Sequence, residues 1–205
     1  GNGSSGQLKQ MTSDGNQEKH AMAILKSNSQ QKIWGWTDPK STWLLDFWKD
    51  LNADIHFVLT YAGPEYEYAE RIHNSANSSD SIDDTMNNWL QYNQQLLRFY
   101  NRNRDRSILV DSTTCVSNPE IFFQLCHDRF GLSTDEENNA EELEGPTVSP
   151  IVSILSSIEI NTRDDIKALH LEIDATANLP TAVEENNLND NAKDEYVSLL
   201  SSKED

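Results

Sequence analysis

The sequence predicts an α/β fold with a parallel sheet of three strands, helices on its faces, and an acidic helical appendage at the carboxyl-terminal end. Three observations predict it. Three short apolar runs, around Ile33–Trp36, Ile55–Leu59 and Ile108–Val110, have the length of buried strands. The stretches between them repeat apolar residues at helical spacing, and strands joined through helices lie parallel with a right-handed crossover. Charge is divided along the chain. Residues 1–132 hold 16 acidic and 12 basic side chains, whereas residues 133–205 hold 18 and 4.

Taken in order, residues 1–16 are rich in Gly, Ser and Asn and read as a disordered or tag-derived leader. They contain Gly1, Gly3 and Gly6 in G-x-G-x-x-G spacing, but no strand precedes Gly1, so the pattern lacks the context of a phosphate cradle. Gln17–Lys26 reads as a short helix. The stretch from Lys32 to Tyr61 then reads as one β-α-β unit: Ile33–Trp36, a turn at Thr37–Lys40, a helix carrying Trp43, Leu44, Phe47, Trp48 and Leu51, and a second strand through Leu59. His56 is expected to be a satisfied core residue of that strand. Pro64 suits the first turn of a helix reaching His73, because its missing N–H costs nothing there.

A long amphipathic helix follows over about 83–101, with Met86, Trp89, Leu90, Leu97 and Tyr100 in one stripe and Asn93 in its middle. Arg98, Arg102, Arg104 and Arg106 gather where it ends. They read chiefly as cations at a helix C-terminus, with an anion site as the alternative. The third strand, Ser107–Asp111, leads to Asn118-Pro119 and a helix closed by Gly131. Residues 133–150 form an acidic linker. The tail, 151–205, holds helical patterns over about 151–158, 162–174 and 192–200. The domain reading is therefore a leader (1–16), an α/β core (17–132), a linker (133–150) and a partly flexible tail (151–205).

Composition limits function. A net charge of −18 argues against nucleic-acid or anionic-membrane binding, both of which need a basic face. No stretch approaches the roughly 20 apolar residues of a membrane span, and no basic-then-apolar signal opens the chain. Cys115 and Cys126 have no metal or redox spacing, so no metal is expected and a cytoplasmic setting is the simplest reading. The acidic tail suggests a basic protein partner. In parallel sheets chemistry gathers at the carboxyl ends of the strands, which puts the turns after Trp36 and Tyr61 forward as sites. Asp38 and Asp111 would be a paired-carboxylate site if they shared a cleft.

The patterns W-G-W-T-D-P-K (34–40), D-I-H-F-V-L-T-Y-A-G-P (54–64), W-L-Q-Y-N (89–93) and N-P-E (118–120), in that order, resemble the bacterial sulfotransferase-like family of P-loop proteins over residues 17–132. The resemblance implies a P-loop-type core. It also implies transfer of a sulfuryl group from 3′-phosphoadenylyl sulfate, as co-substrate, to the hydroxyl of a carbohydrate or small acceptor. It assigns Asp38 and Lys40 to the catalytic turn, and Tyr61, Gly63 and Asn93 to the donor side. The chain departs from the pattern at Thr37, where the family has Lys, at Lys40, where it has Arg, and at Ala62, where it has Arg. Ala cannot replace a bidentate phosphate contact. The phosphosulfate loop is expected upstream of residue 17; residues 1–16 offer no strand–loop–helix for it, so it is absent or trimmed away, and the chain is a transferase if the full-length protein supplies it. Two expectations therefore stand side by side: an incomplete or degenerate sulfotransferase, or a non-catalytic binding or regulatory domain on that scaffold. A third, drawn without the resemblance, is an acidic protein-interaction domain.

Overall fold

The computed structural model describes residues 15–37, 39–73, 81–132 and 150–182. The chain divides into two compact units, 1–55 and 56–205.

In the first unit, helix α1 (Gly15–Asn28) is followed by a 3-10 turn (Pro39–Leu44) and helix α2 (Leu45–Leu51). The expected strand at Ile33–Trp36 does not form: these residues are coil, with Ile33 48% and Trp36 42% exposed. The run is four residues long, interrupted by Gly35 and without a partner strand among the described residues, and glycine weakens a strand that has no ladder to hold it. The indoles stack instead. Trp34 lies 5.3 Å from Trp36, which lies 4.7 Å from Trp48. The predicted β-α-β unit therefore does not exist as drawn.

The second unit carries the sheet. Strands β1 (Phe57–Tyr61) and β2 (Ser107–Asp111) pair in parallel with Phe57 opposite Ser107 and Tyr61 opposite Asp111. This two-stranded sheet replaces the three expected strands. The crossover between them is made by α3 (Pro64–His73) and α4 (Ile82–Arg102). Ser81 caps α4 reciprocally with Asp84: its hydroxyl accepts from the Asp84 N–H, and the Asp84 carboxylate accepts from the Ser81 N–H. The Asp84 carboxyl accordingly lies below its ordinary pKa.

Strand β2 is buried along its whole length, which is why it reads as a continuous apolar run, whereas β1 alternates and exposes Val58 and Thr60. On one face Ile108 and Val110 pack with Cys126 and Leu179, backed by Phe122, Leu125 and Phe130. On the β1 side of the sheet, Phe57 meets Phe99 of α4 edge-on at 4.9 Å. His56 is exposed rather than buried and lies against Phe130 at 4.6 Å, because the strand begins one residue after it.

After β2 come α5 (Ser112–Ser117) and α6 (Pro119–Phe130). Gly131 ends α6 at φ +66° and donates its N–H to His127 O at 2.8 Å. A Cβ at that position would meet no atom within 4 Å, so only the left-handed backbone resists substitution. Gly131→Ala should lower stability by about 1–2 kcal/mol in urea unfolding, the cost of a side chain in that region.

Helices α7 (Pro150–Asn161) and α8 (Asp164–Thr176) do not stand apart as a tail. Ile166 and Ile173 are fully buried, α7 packs on α3, and α8 packs on α4. Arg163 bonds Asn87 at 3.0 Å and lies 3.8 Å from Asp83, tying the start of α8 to α4. Beyond α8 the segment Asn178–Ala182 runs along the outer edge of β2. Leu179 bridges Val110 in parallel, and Asp111 N–H donates to Leu179 O at 2.8 Å. The expected leader, the acidic linker and the last helix fall mostly outside the described residues.

Candidate functional site

The carboxyl edge of the sheet lies entirely within the second unit. It is built by the last rung of the strands, the turn Tyr61–Pro64, one turn of α8, and Asn178–Ala182. Tyr61 and Asp111 face each other across that rung. The Tyr61 hydroxyl is carried to α8, where it donates to Asp174 Oδ1 at 2.7 Å. The same oxygen accepts the Thr181 N–H at 2.8 Å. Burial would push the Asp174 carboxyl up, but the Thr181 N–H, the Tyr61 hydroxyl and the nearby His170 outweigh it, so its pKa lies below the ordinary value. Tyr61 is held neutral: burial, first, and then the Asp174 carboxylate raise its pKa.

Asp111 caps α5. Its Oδ1 accepts the Thr114 N–H at 2.8 Å and the Thr113 hydroxyl. Thr114 Oγ1 in turn accepts the Ala182 N–H at 2.9 Å. These bonds close a ring from Asp111 through Thr114, Ala182, Thr181 and Asp174 to Tyr61. Asp111 Oδ2 is buried with no hydrogen-bond partner.

The turn after β1 is fixed from below. Trp89 of α4 donates its indole N–H to Ala62 O at 2.9 Å, and its ring meets His170 edge-on at 6.1 Å. Gly63 leaves room for neighbours: a Cβ there would come within 2.9 Å of Glu65 Oε2 and 3.7 Å of His170 Nε2. His170 Nε2 is also buried without a partner. Glu67, on α3, has its carboxyl pKa raised by burial and then by Glu70.

Of the residues expected to form a site, Tyr61, Gly63 and Asp111 come together here. Asn93 lies one turn along α4 from Trp89, bonding Trp89 O through Nδ2 at 2.9 Å and leaving Oδ1 buried without a partner. The amide is first of all a helix back-bond, as a mid-helix Asn commonly is. Asp38 lies outside the described residues. Lys40 belongs to the 3-10 turn of the first unit. The carboxylate that flanks Tyr61 opposite Asp111 is Asp174, and sequence reasoning missed it, together with His170 and Thr181. All three sit in the segment read as an appendage. The helical spacing of Ile166, Leu169 and Ile173 was the available signal, because a helix with so apolar a face must cover something.

The arginine cluster is occupied in structural work. Arg104 lies over Tyr100 at 5.3 Å and Arg106 over Phe57 at 5.8 Å, Arg102 bonds Arg98 O at 3.2 Å, and Arg129 bonds Arg104 O. Both cysteines are free thiols. That of Cys115 is pushed up to about 11 by burial, with Asp111 and Cys126 adding to it, so it is protonated at neutral pH. Among the described residues no group of three or more His, Cys, Asp or Glu is placed to hold a metal, and no helix is long and apolar enough to cross a membrane.

The second unit is thus a mixed α/β module on a small two-stranded parallel sheet, with an acidic carboxyl edge. No family model matches the chain, and no curated protein or solved structure matches it either.

Proposed function

We propose that the chain is a non-catalytic binding domain on a sulfotransferase-like scaffold, one that does not grip 3′-phosphoadenylyl sulfate at the carboxyl edge of its sheet. One observation carries the reading. Where an anionic donor needs fixed cations and N–H groups, the turn offers Ala62, and the side chains around it include the carboxylates of Asp111, Asp174 and Glu65. The described residues of this edge therefore do not fit a phosphosulfate. The Tyr61 hydroxyl, which could have donated to it, is already engaged by Asp174.

The competing reading is transfer of a sulfuryl group to a carbohydrate-type or other small hydroxyl acceptor, with Asp38 and Lys40 in catalytic roles. Only the motif order in the sequence favours it. Titration calorimetry of the 205-residue chain with 3′-phosphoadenosine 5′-phosphate separates the two. No measurable heat is expected; saturable binding at micromolar concentration would restore the enzyme. The acidic stretch after residue 132 keeps a basic protein partner as a further element of the binding reading.

A further inference from the structure

We propose that β1 is a self-association edge, along which two copies of this chain pair antiparallel about a two-fold axis and join their two-stranded sheets into one. Every residue involved lies in the second unit, and the pairing is independent of the binding-domain reading above.

The two sides of the sheet differ. In a parallel ladder alternate residues of a strand bond to a given neighbour. Phe57 N–H donates to Arg106 O at 2.9 Å, so Phe57, Leu59 and Tyr61 turn toward β2, while Val58 and Thr60 turn their N–H and C=O groups outward. On β2 the outward groups belong to Leu109 and Asp111, and they are met. Leu109 O accepts the Asn178 N–H, and Asp111 N–H donates to Leu179 O. The segment that meets them carries Pro180, which offers no N–H to a further strand. The outward groups of β1 have no such cover among the described residues. Val58 is 44% exposed, and Thr60 is exposed as well. Phe57–Tyr61 also holds no charged residue and no proline, the usual means by which a bare edge is kept from pairing. One side of the sheet is closed, and the other is open.

Charge selects a second copy as the occupant. The side chains of Phe57, Leu59 and Tyr61 share one face of the sheet, and on that face the two ends of β1 are oppositely charged. Arg106 lies over the Phe57 ring at 5.8 Å. At the other end Glu65 Oε2 stands against Gly63, 2.9 Å from where a Cβ would be. Antiparallel pairing centred on Leu59 sets Phe57 opposite Tyr61 of the second copy. Each Arg106 is then brought to the end that holds the second copy's Glu65. The same register sets Val58 opposite Thr60 of the second copy, so the two residues with outward groups exchange both backbone bonds, as a hydrogen-bonded antiparallel pair does. Leu59 falls on the axis, where its own bonds are already made to β2. The ladder stops at Ala62, whose carbonyl accepts the Trp89 indole N–H. Backbone, register and charge thus form one self-complementary surface, as a two-fold interface requires. With the outer edge of β2 covered, assembly ends at two copies.

The test is sedimentation velocity of the full chain from low micromolar to near-millimolar concentration, with amide hydrogen exchange at both ends of that range. A reversible monomer–dimer equilibrium is expected, in which the Val58 and Thr60 amides gain protection on dimerisation. Val58→Lys places an ammonium at an exposed position of the edge and should weaken the dimer at least about tenfold, while the melting temperature of the dilute monomer holds. Thr60→Pro removes an outward N–H and should weaken it likewise. Arg106→Glu and Glu65→Arg should each weaken it, and the double variant should recover most of the loss, because each contact joins position 106 of one copy to position 65 of the other. A chain that stays monomeric throughout would overturn the proposal, as would a dimer whose Val58 and Thr60 amides exchange as in the monomer. So would a dimer indifferent to both Val58→Lys and Thr60→Pro, a double variant no tighter than either single one, or assembly beyond two copies.

Discussion

Ile173→Ala should destabilise the β1–β2 unit by about 2–5 kcal/mol, the usual cost of emptying a fully buried aliphatic site. Ile173 is 0% exposed on α8, which packs on α4. The segment that follows the helix supplies the outer partner of β2: Asn178 Oδ1 accepts the Leu109 N–H at 2.9 Å and the Tyr100 hydroxyl at 3.0 Å. Loosening α8 therefore loosens the sheet. The measurement is urea unfolding together with amide exchange at β2, where the Leu109 amide should lose protection with the rest of the strand. Leu171→Ala, on the same helix but 69% exposed, should stay within about 0.5 kcal/mol of the wild type. If Ile173→Ala left β2 exchange unchanged, α8 would be an appendage after all, and the site assembled from Asp174 and Thr181 would fall with it.

Tyr61→Phe should cost about 1–3 kcal/mol at neutral pH, because it removes a hydrogen bond to an ionised partner from a residue that is 2% exposed. Its pH dependence is the sharper signature. The Asp174 carboxyl has a lowered pKa in the folded state, so its contribution is present above the ordinary carboxylate value and is lost as pH falls through the folded one. The gap between wild type and Tyr61→Phe should narrow below pH about 4. Tyr61 is shifted the other way. Its contribution is whole below the unfolded tyrosine value and is lost as pH rises beyond about 10, where the unfolded chain ionises and the folded one does not. The Phe variant should lack that alkaline decline. A gap that stays constant from pH 3 to 11 would show that Tyr61 acts by packing alone.

Much of this architecture is legible in local pattern. The amphipathic repeat over 82–102, the Ser81–Asp84 cap, Pro119 at a helix start and Gly131 at a helix end all act within a turn or two of the chain. The run Ile108–Val110 reads as a buried strand because both of its neighbours, β1 and Leu179, cover it. Ile33–Trp36 has a similar composition and is no strand, because an apolar run becomes a strand only when another chain segment supplies the hydrogen bonds. Nothing within those four residues reveals whether that segment exists.

The site shows the same division. Tyr61, Gly63 and Asp111 stand at strand ends, and strand ends in a parallel sheet are where a sequence can nominate a site. Asp174, His170 and Thr181 are distant in sequence, at the end of a stretch whose low hydrophobicity and acidic lead-in suggested solvated chain. Their role follows from burial of Ile166 and Ile173, which fixes the rotation of α8 and so aims Asp174 at the Tyr61 hydroxyl. By itself the sequence determined the helices after β1, before β2 and after Asn118, the helical pattern of α8, and the apolar runs that became β1 and β2, since these depend on periodicity and caps. Only the tertiary structure decided how many strands pair, that α8 belongs to the sheet domain, and that the edge is ringed by carboxylates rather than cations. Those outcomes depend on which distant surfaces meet, and that is settled by the packing of buried faces across more than a hundred residues of chain.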